Sequence, residues 1–397
     1  MDFNQKIERK ETYSVKWDRT EAVFNTKEQI LPMWVADMDF RPPEGVLNAL
    51  KERLDHGIFG YTYVADDVTD TVRNWLMHRH GWDVERGWIS YSTGVVPSLG
   101  KTVLAFTDPG DKVLIQSPVY PPFFSMVKEN GREVENCQLE ETSEGYCIDF
   151  TAFEEAAAKP DVKLFFLCSP HNPVGRVWTK DELTQLADIC LAHKVIIVAD
   201  EIHSDLILEG YSHIPMASLS EDISHQTVTL SAPSKTFNLA GMQASFVIAA
   251  NPDHRKKLGA VDKQQGHFTL NTMGILAMKA AYDHGEDWLN ELNDYIKANA
   301  DFVADELERL ELPIHLARLE ATYLLWLDCR ELGLTDKELE KLFINAGKIG
   351  FNWGHTFGAG GEGFVRMNVA CPRETVEKGI QRIQQAMASL EAASTNE

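Results

Sequence analysis

The chain has 397 residues, 44% apolar and 25% charged, which is material for two domains and for a core able to bury a cofactor. Its formal net charge is -22, so neither nucleic acid nor an anionic membrane face is an expected partner. Any anionic ligand must be held by local groups, because the overall field opposes it.

Residues 1–18 lack the apolar stretch of a signal peptide, and no apolar run approaches membrane-spanning length. The six cysteines (Cys137, Cys147, Cys168, Cys190, Cys329 and Cys371) form no CxxC pair and no metal-like cluster. Several sit in apolar runs, where a free thiol acts as a small hydrophobe. A reduced, cytoplasmic protein is expected. The chain contains no internal repeat and no low-complexity linker.

Short apolar runs at 113–115, 163–168, 195–199, 227–230 and 246–250 alternate with helical patterns. Such runs read as buried strands of a mostly parallel sheet covered by helices. Between the second and third, Thr179 and Glu182 make a capping box, and Leu183, Leu186, Ala187 and Cys190 recur at helical spacing. Beyond about residue 285 the character changes. Trp288, Leu292, Tyr295, Phe302 and Val303 share a face of a long amphipathic helix, interrupted by Asn299. Apolar segments at 321–327 and 364–369 follow, with helical patterns at 336–346 and 374–390. The expected division is an N-terminal segment, 1–50, that joins a smaller α+β domain, a large domain at 51–285, and the rest of the small domain at 286–397.

In an open parallel sheet, ligands bind just outside the carboxyl ends of the strands. The first run leads into Ser117-Pro118-Val119-Tyr120, and the second into Ser169-Pro170-His171-Asn172-Pro173-Val174-Gly175. The third leads into Asp200-Glu201-Ile202-His203, and the fourth into Ser231-Ala232-Pro233-Ser234-Lys235. Taken singly, these residues have plain explanations: a solvated lysine, a helix-capping Asp, an Asn in a Pro-rich turn, a core Tyr. Together they meet the needs of pyridoxal 5'-phosphate (PLP). An amine makes a Schiff base, a carboxylate keeps the pyridine nitrogen protonated, an amide bonds the phenolic oxygen, and an aromatic ring stacks on the pyridine.

The segments NPVG, ADEIHSD and SAPSKTFNLAG resemble those of fold-type I PLP enzymes, the aspartate aminotransferase superfamily of class I/II. More narrowly, KWD at 16–18, PMWVADMDF at 32–40, FGYT at 59–62 and FGAGGEGFVRMNVACPR at 357–373 are similar to the PatB/MalY group of cystathionine β-lyase-like C–S lyases. The resemblance implies an α/β fold of the PLP transferase type, with a mostly parallel seven-stranded sheet in the large domain. It implies that Lys235 forms the Schiff base and moves protons at the substrate Cα. Asp200 then pairs with the pyridine nitrogen, Asn172 with the phenolic oxygen, and Tyr120 stacks on the ring. Gly94, Val95 and Val96 open a helix whose amides meet the phosphate, with a hydroxyl from Ser234 and, less firmly, Ser231. Tyr61 reaches the phosphate from a neighbouring subunit of a homodimer, and Arg366 clamps the substrate carboxylate.

Two positions depart from the wider pattern. Many aminotransferases of this superfamily carry an arginine where Gln243 stands, which leaves the phosphate's counter-charge unaccounted for. Pro121 follows Tyr120 where some relatives have a second tyrosine. Residues 358–363 satisfy GxGxxG but precede a strand-like run, so a loop presenting Arg366 is expected rather than a dinucleotide site. Residues 98–101 satisfy SxxK without its companion motifs. His203 reads as core or as a residue behind the site rather than a metal ligand. Three functions remain: β-elimination from L-cystathionine or another cysteine S-conjugate, transamination through the same core residues, and a regulatory binding role. The subfamily motifs, with Gln243 in support, favour elimination.

Overall fold

The computed structural model describes residues 1–143 and 145–394. Its large sheet has seven strands: β1 (Ile89–Ser92), β2 (Lys112–Ile115), β3 (Glu133–Asn136), β4 (Val162–Cys168), β5 (Ile196–Asp200), β6 (Thr227–Ser231) and β7 (Ser245–Ile248). The spatial order is β1-β7-β6-β5-β4-β2-β3. Strands β2 to β6 pair in parallel, and β7 runs antiparallel to both β6 and β1.

The five central strands coincide with the apolar runs because both sheet faces are covered. Leu164 and Phe166 of β4 pack under helix α1 (Val95–Phe106), beside Leu99 and Val103. The alternate residues Phe165 and Leu167 pack on the opposite face against Leu183, Leu186 and Cys190 of α2 (Lys180–His193). Alternation along the strand therefore puts apolar side chains on both sides. The Thr179–Glu182 capping box opens α2 as the spacing predicts. The edge strands β1 and β3 carry no apolar run in the sequence. Each pairs on one side only, and β3 is made of Glu133, Val134, Glu135 and Asn136, whose charges suit an exposed edge.

A second, antiparallel sheet is built from β8 (His315–Leu316), β9 (Leu324–Asp328), β10 (Asn352–Trp353) and β11 (Phe364–Asn368), in the order β8-β9-β11-β10. The long helix α3 (Glu286–Arg309) flanks it, with its buried stripe centred on Leu289, Leu292, Ile296 and Val303. Tyr295 and Phe302, expected on that stripe, lie at its half-buried margins. Asn299 is fully buried and donates from Nδ2 to the carbonyls of Val369 and Cys371 at 3.0 Å each. The polar break in the stripe is thus a clamp on the chain leaving β11. The expected helix at 336–346 forms as α4 (Asp336–Lys341) and then widens into a π-type turn, Leu342–Gly347. The last described helix is α5 (Arg373–Ser394). Near the N-terminus, Leu31–Pro32 pairs in parallel with Ile349–Gly350 as a separate two-stranded sheet, which ties the N-terminal segment to the C-terminal part of the chain. Among the described residues, no helix is long and apolar enough to cross a membrane.

Candidate active site

The carboxyl ends of β4, β5 and β6 open onto a cavity of about 190 Å³. Gly94, Val95, Val96, Tyr120, Asn172, Asp200, Ser234 and Lys235 all line it, so most of the expected site residues meet there. Asp200 is the last residue of β5 and the others come from segments that follow a strand, where the backbone turns away from the sheet.

Lys235 sits on the single helical turn Pro233–Thr236 that follows β6. Its Nζ donates to the Ala36 carbonyl at 2.6 Å. Burial, aided by the Arg366 cation, lowers its pKa to about 8, so the free amine is within reach near neutrality. Asp200 ends β5 and is 4% exposed. Burial pushes its carboxyl up to about 7, against the pull of the Ile202 N–H, which donates to Oδ1 at 3.2 Å. Burial likewise raises the Tyr120 phenol. Asn172 accepts from Arg366 Nη1 at 3.0 Å through its Oδ1.

Helix α1 starts at the cavity wall, and Gly94 at its N-cap offers no side chain to bond the first-turn amides. The Ser98 hydroxyl instead donates to the Gly94 carbonyl at 2.9 Å. The α1 terminus is therefore an anion site in waiting. Ser234 joins this wall, whereas Ser231 does not line the cavity; its hydroxyl turns to the Glu201 carbonyl at 3.5 Å.

Two further expected residues stand outside the lining. Arg366, on β11, lies behind Asn172 and is 4% exposed. Its Nη2 donates to the Trp34 carbonyl at 3.1 Å and also to Asn352 Oδ1, and its buried Nε has no partner. Burial lowers its pKa to about 10. Tyr61 is fully exposed on the loop before residue 66 and does not reach the cavity of its own chain.

The cavity also takes in groups that the sequence reading does not place in its wall, among them His203, which it reads as core or as a residue behind the site. His203 lines it, and burial, with help from the Lys235 and Arg366 cations, drops its pKa to about 3, so the ring is neutral. Its place three residues past Asp200 was the available signal. Cys168 and Gln243 also line the wall. The carbonyls of Trp34 and Ala36 belong to the 32–40 motif, to which the sequence reading gave no part in the site. Backbone acceptors leave no mark in residue identity. The 358–363 glycines form a loop ahead of β11, as their context predicts.

These groups suit PLP. Asp200 is a buried carboxylate with a backbone donor and a raised pKa, which a protonated pyridine nitrogen would relieve. Lys235 supplies an amine that loses its proton readily, and α1 supplies amides for the phosphate. Lys235 is the one cationic side chain in the described lining, so the negative end depends on amides and hydroxyls.

The family model for aminotransferase class I and II matches residues 29–383. Over 389 residues the chain is 46% identical to the cystathionine beta-lyase PatB of Bacillus subtilis (strain 168), covering 98% of this chain and 100% of that one. The crystal structure of cystalysin from Treponema denticola, which contains a pyridoxal 5'-phosphate cofactor, is similar with a TM-score of 0.95 at 38% identity, over 98% of this chain and 99% of that one. The PLP-bound C–S lyase from Staphylococcus hominis gives a TM-score of 0.90 at 33% identity, over 97% of this chain and 98% of that one. On this evidence the chain belongs to the aminotransferase class I and II family.

Proposed function

We propose that the chain is a PLP-dependent C–S β-lyase that cleaves L-cystathionine or a related cysteine S-conjugate to a thiol, pyruvate and ammonia. The observation that carries this reading is the convergence of Lys235, Asp200, Asn172 and Tyr120 on one cavity at the strand ends. The end-to-end likeness to PatB gives the reaction type.

In this reading Lys235 would hold the cofactor covalently and Asp200 would pair with its pyridine nitrogen. Asn172 would bond the phenolic oxygen, Tyr120 would stack on the ring, and the amides of residues 94–96 with the Ser234 hydroxyl would take the phosphate. The bound cofactor supplies an electron sink for the pair left at Cα when its proton departs. Lys235, as a free amine, would take that proton. A positioned base of this kind contributes roughly 10²–10⁴-fold. Arg366, fixed by Asn172, Asn352 and the Trp34 carbonyl, holds the substrate carboxylate so that the Cα–H points at Lys235. The Cβ–S bond breaks with both electrons leaving on sulfur, and water completes the conversion to pyruvate and ammonia.

The assembly we favour is a cytoplasmic homodimer in which Tyr61 completes the partner's phosphate site. Ile58, Phe59, Tyr61 and Tyr63 are all exposed on one loop, an apolar cluster suited to burial by a second copy. We also propose the division 1–50, 51–285 and 286–397, with the cavity lined by the first two segments and Arg366 of the third lying behind Asn172.

The test is to incubate the PLP-loaded protein with L-cystathionine, without any keto acid, and to follow pyruvate and free thiol together. Sustained equimolar release of both is expected. Amino-group exchange that needs an added keto acid, with no thiol released, would replace the lyase by an aminotransferase.

A further inference from the structure

Two of the motifs that resemble the PatB/MalY group, residues 16–18 and 32–40, contain none of the residues assigned above to the cofactor, although Ala36 lines the cavity. The structure joins them. Residues 34–40 form a strap that crosses between the two functional elements. Its Ala36 carbonyl receives Lys235 Nζ at 2.6 Å and the Tyr323 hydroxyl at 3.0 Å, and its Trp34 carbonyl receives Arg366 Nη2 at 3.1 Å. Neighbours of the same two residues bind the strap as well. Asn368, two residues past Arg366, donates to the Val35 and Asp37 carbonyls at 2.6 Å each. Asn238, three residues past Lys235, donates to the Met38 and Phe40 carbonyls at 2.9 Å and accepts from the Met38 N–H at 3.0 Å.

The strap's two carboxylates point the other way, into an ion network made by the N-terminal segment. Arg9 grips Asp37 with both forks, at 3.0 and 2.7 Å, and reaches Asp39 Oδ1 at 2.7 Å. Lys16 donates to Asp39 Oδ2 at 2.8 Å and lies 3.9 Å from Asp37. Trp17 Nε1 adds a bond to Asp39 at 3.0 Å, and Trp34 Nε1 returns to the Lys16 carbonyl at 3.2 Å. Lys16 is 1% exposed and Asp39 6%, so this pair lies almost out of water, while Arg9 and Asp37 are partly exposed. Such a network adds little net stability over apolar packing, but it fixes geometry, because a buried charge tolerates few alternative partners.

We propose that Arg9 and Lys16 are positioning residues: through Asp37 and Asp39 they hold the strap so that its carbonyls aim Arg366 at the substrate carboxylate and Lys235 at Cα. The inference rests on the reading of Lys235 and Arg366 given above. Neither Arg9 nor Lys16 lines the cavity, so their effect is transmitted by the strap.

The test uses Arg9, whose side chain is 20% exposed and so tolerates replacement better than Lys16. The probe is L-alanine, which has the α-amino and α-carboxylate groups but no leaving group, titrated into the PLP-loaded protein by its visible spectrum. Arg9→Gln is expected to weaken alanine binding about tenfold and to speed amide exchange in residues 34–40, while PLP uptake and the thermal midpoint stay near wild type. Arg9→Lys keeps the charge without the fork, and is expected to recover at least part of the affinity. Unchanged alanine affinity in folded Arg9→Gln overturns the inference, as does a loss that only tracks the thermal midpoint across both variants. If the wild-type protein itself fails to take up PLP, the proposed function is what falls.

Discussion

Asp200 and Asp205 lie five residues apart and are equally hidden, 4% and 5% exposed, yet their surroundings are opposite. Asp205 belongs to a packed cluster behind the cavity. It accepts from Trp75 Nε1 at 3.1 and 3.2 Å, His80 Nε2 at 3.1 Å and Thr236 Oγ1 at 2.9 Å. Burial opposes its charge, but the bonds from His80 and Thr236 hold its carboxyl below the usual range. Asp200 has the Ile202 N–H and the cavity, and burial takes it up to about 7. Depth alone therefore does not distinguish a scaffold carboxylate from a functional one. The number of donors does: Asp205 is satisfied by the fold, and Asp200 is left for a ligand to satisfy.

The sharpest way to break this contrast is to remove each charge in turn. On the role proposed for Asp200, Asp200→Asn is expected to lower the rate of pyruvate release about 10²- to 10³-fold, because the charge proposed to pair with the cofactor is lost. Denaturant unfolding of the same variant without cofactor should show stability equal to or above wild type. Asp205→Asn reverses the pattern. It leaves buried donors badly matched, at a cost of about 2–4 kcal/mol in denaturant unfolding, while turnover at 25 °C falls less than tenfold.

A pH series sharpens the comparison further. The folded-state pKa of Asp200 lies above its ordinary 3.8, so burial favours the uncharged form. Its contribution to cofactor-free stability is complete below about pH 4 and is lost as pH rises through about 7. Asp200→Asn lacks that dependence, so its stability advantage should open between pH 4 and pH 8, on the order of 1–4 kcal/mol, when melts are compared across buffers. The smallest effect belongs to Thr236→Val, which deletes one bond to Asp205 beside Lys235. It should cost about 1 kcal/mol in denaturant unfolding.

The sequence exposed this site unevenly, for physical reasons. Strands covered on both faces must be apolar throughout, so β2, β4, β5, β6 and β7 stand out, and the groups at their ends can be found by counting past them. Edge strands β1 and β3 need no such run and stayed hidden. Lys235, Asp200, Asn172 and Tyr120 each follow a legible strand. Arg366 lies on a different sheet, so family motifs rather than strand order pointed to it. The Ala36 and Trp34 carbonyls, which hold Lys235 and Arg366, are groups every residue possesses. Tyr61 faces outward in a single chain, and its expected role depends on a second copy.

The measurement that bears most directly on Asp200 is the thermal midpoint with and without saturating PLP at pH 8, in wild type and in Asp200→Asn. Lys235 is available to capture the cofactor in both proteins, so any difference in the shift isolates the carboxylate. A clearly larger PLP-induced rise in wild type is expected, because a cation in the cavity relieves the buried charge. Equal shifts in the two proteins would contradict the assignment of Asp200 as the group held in wait for the cofactor's pyridine nitrogen.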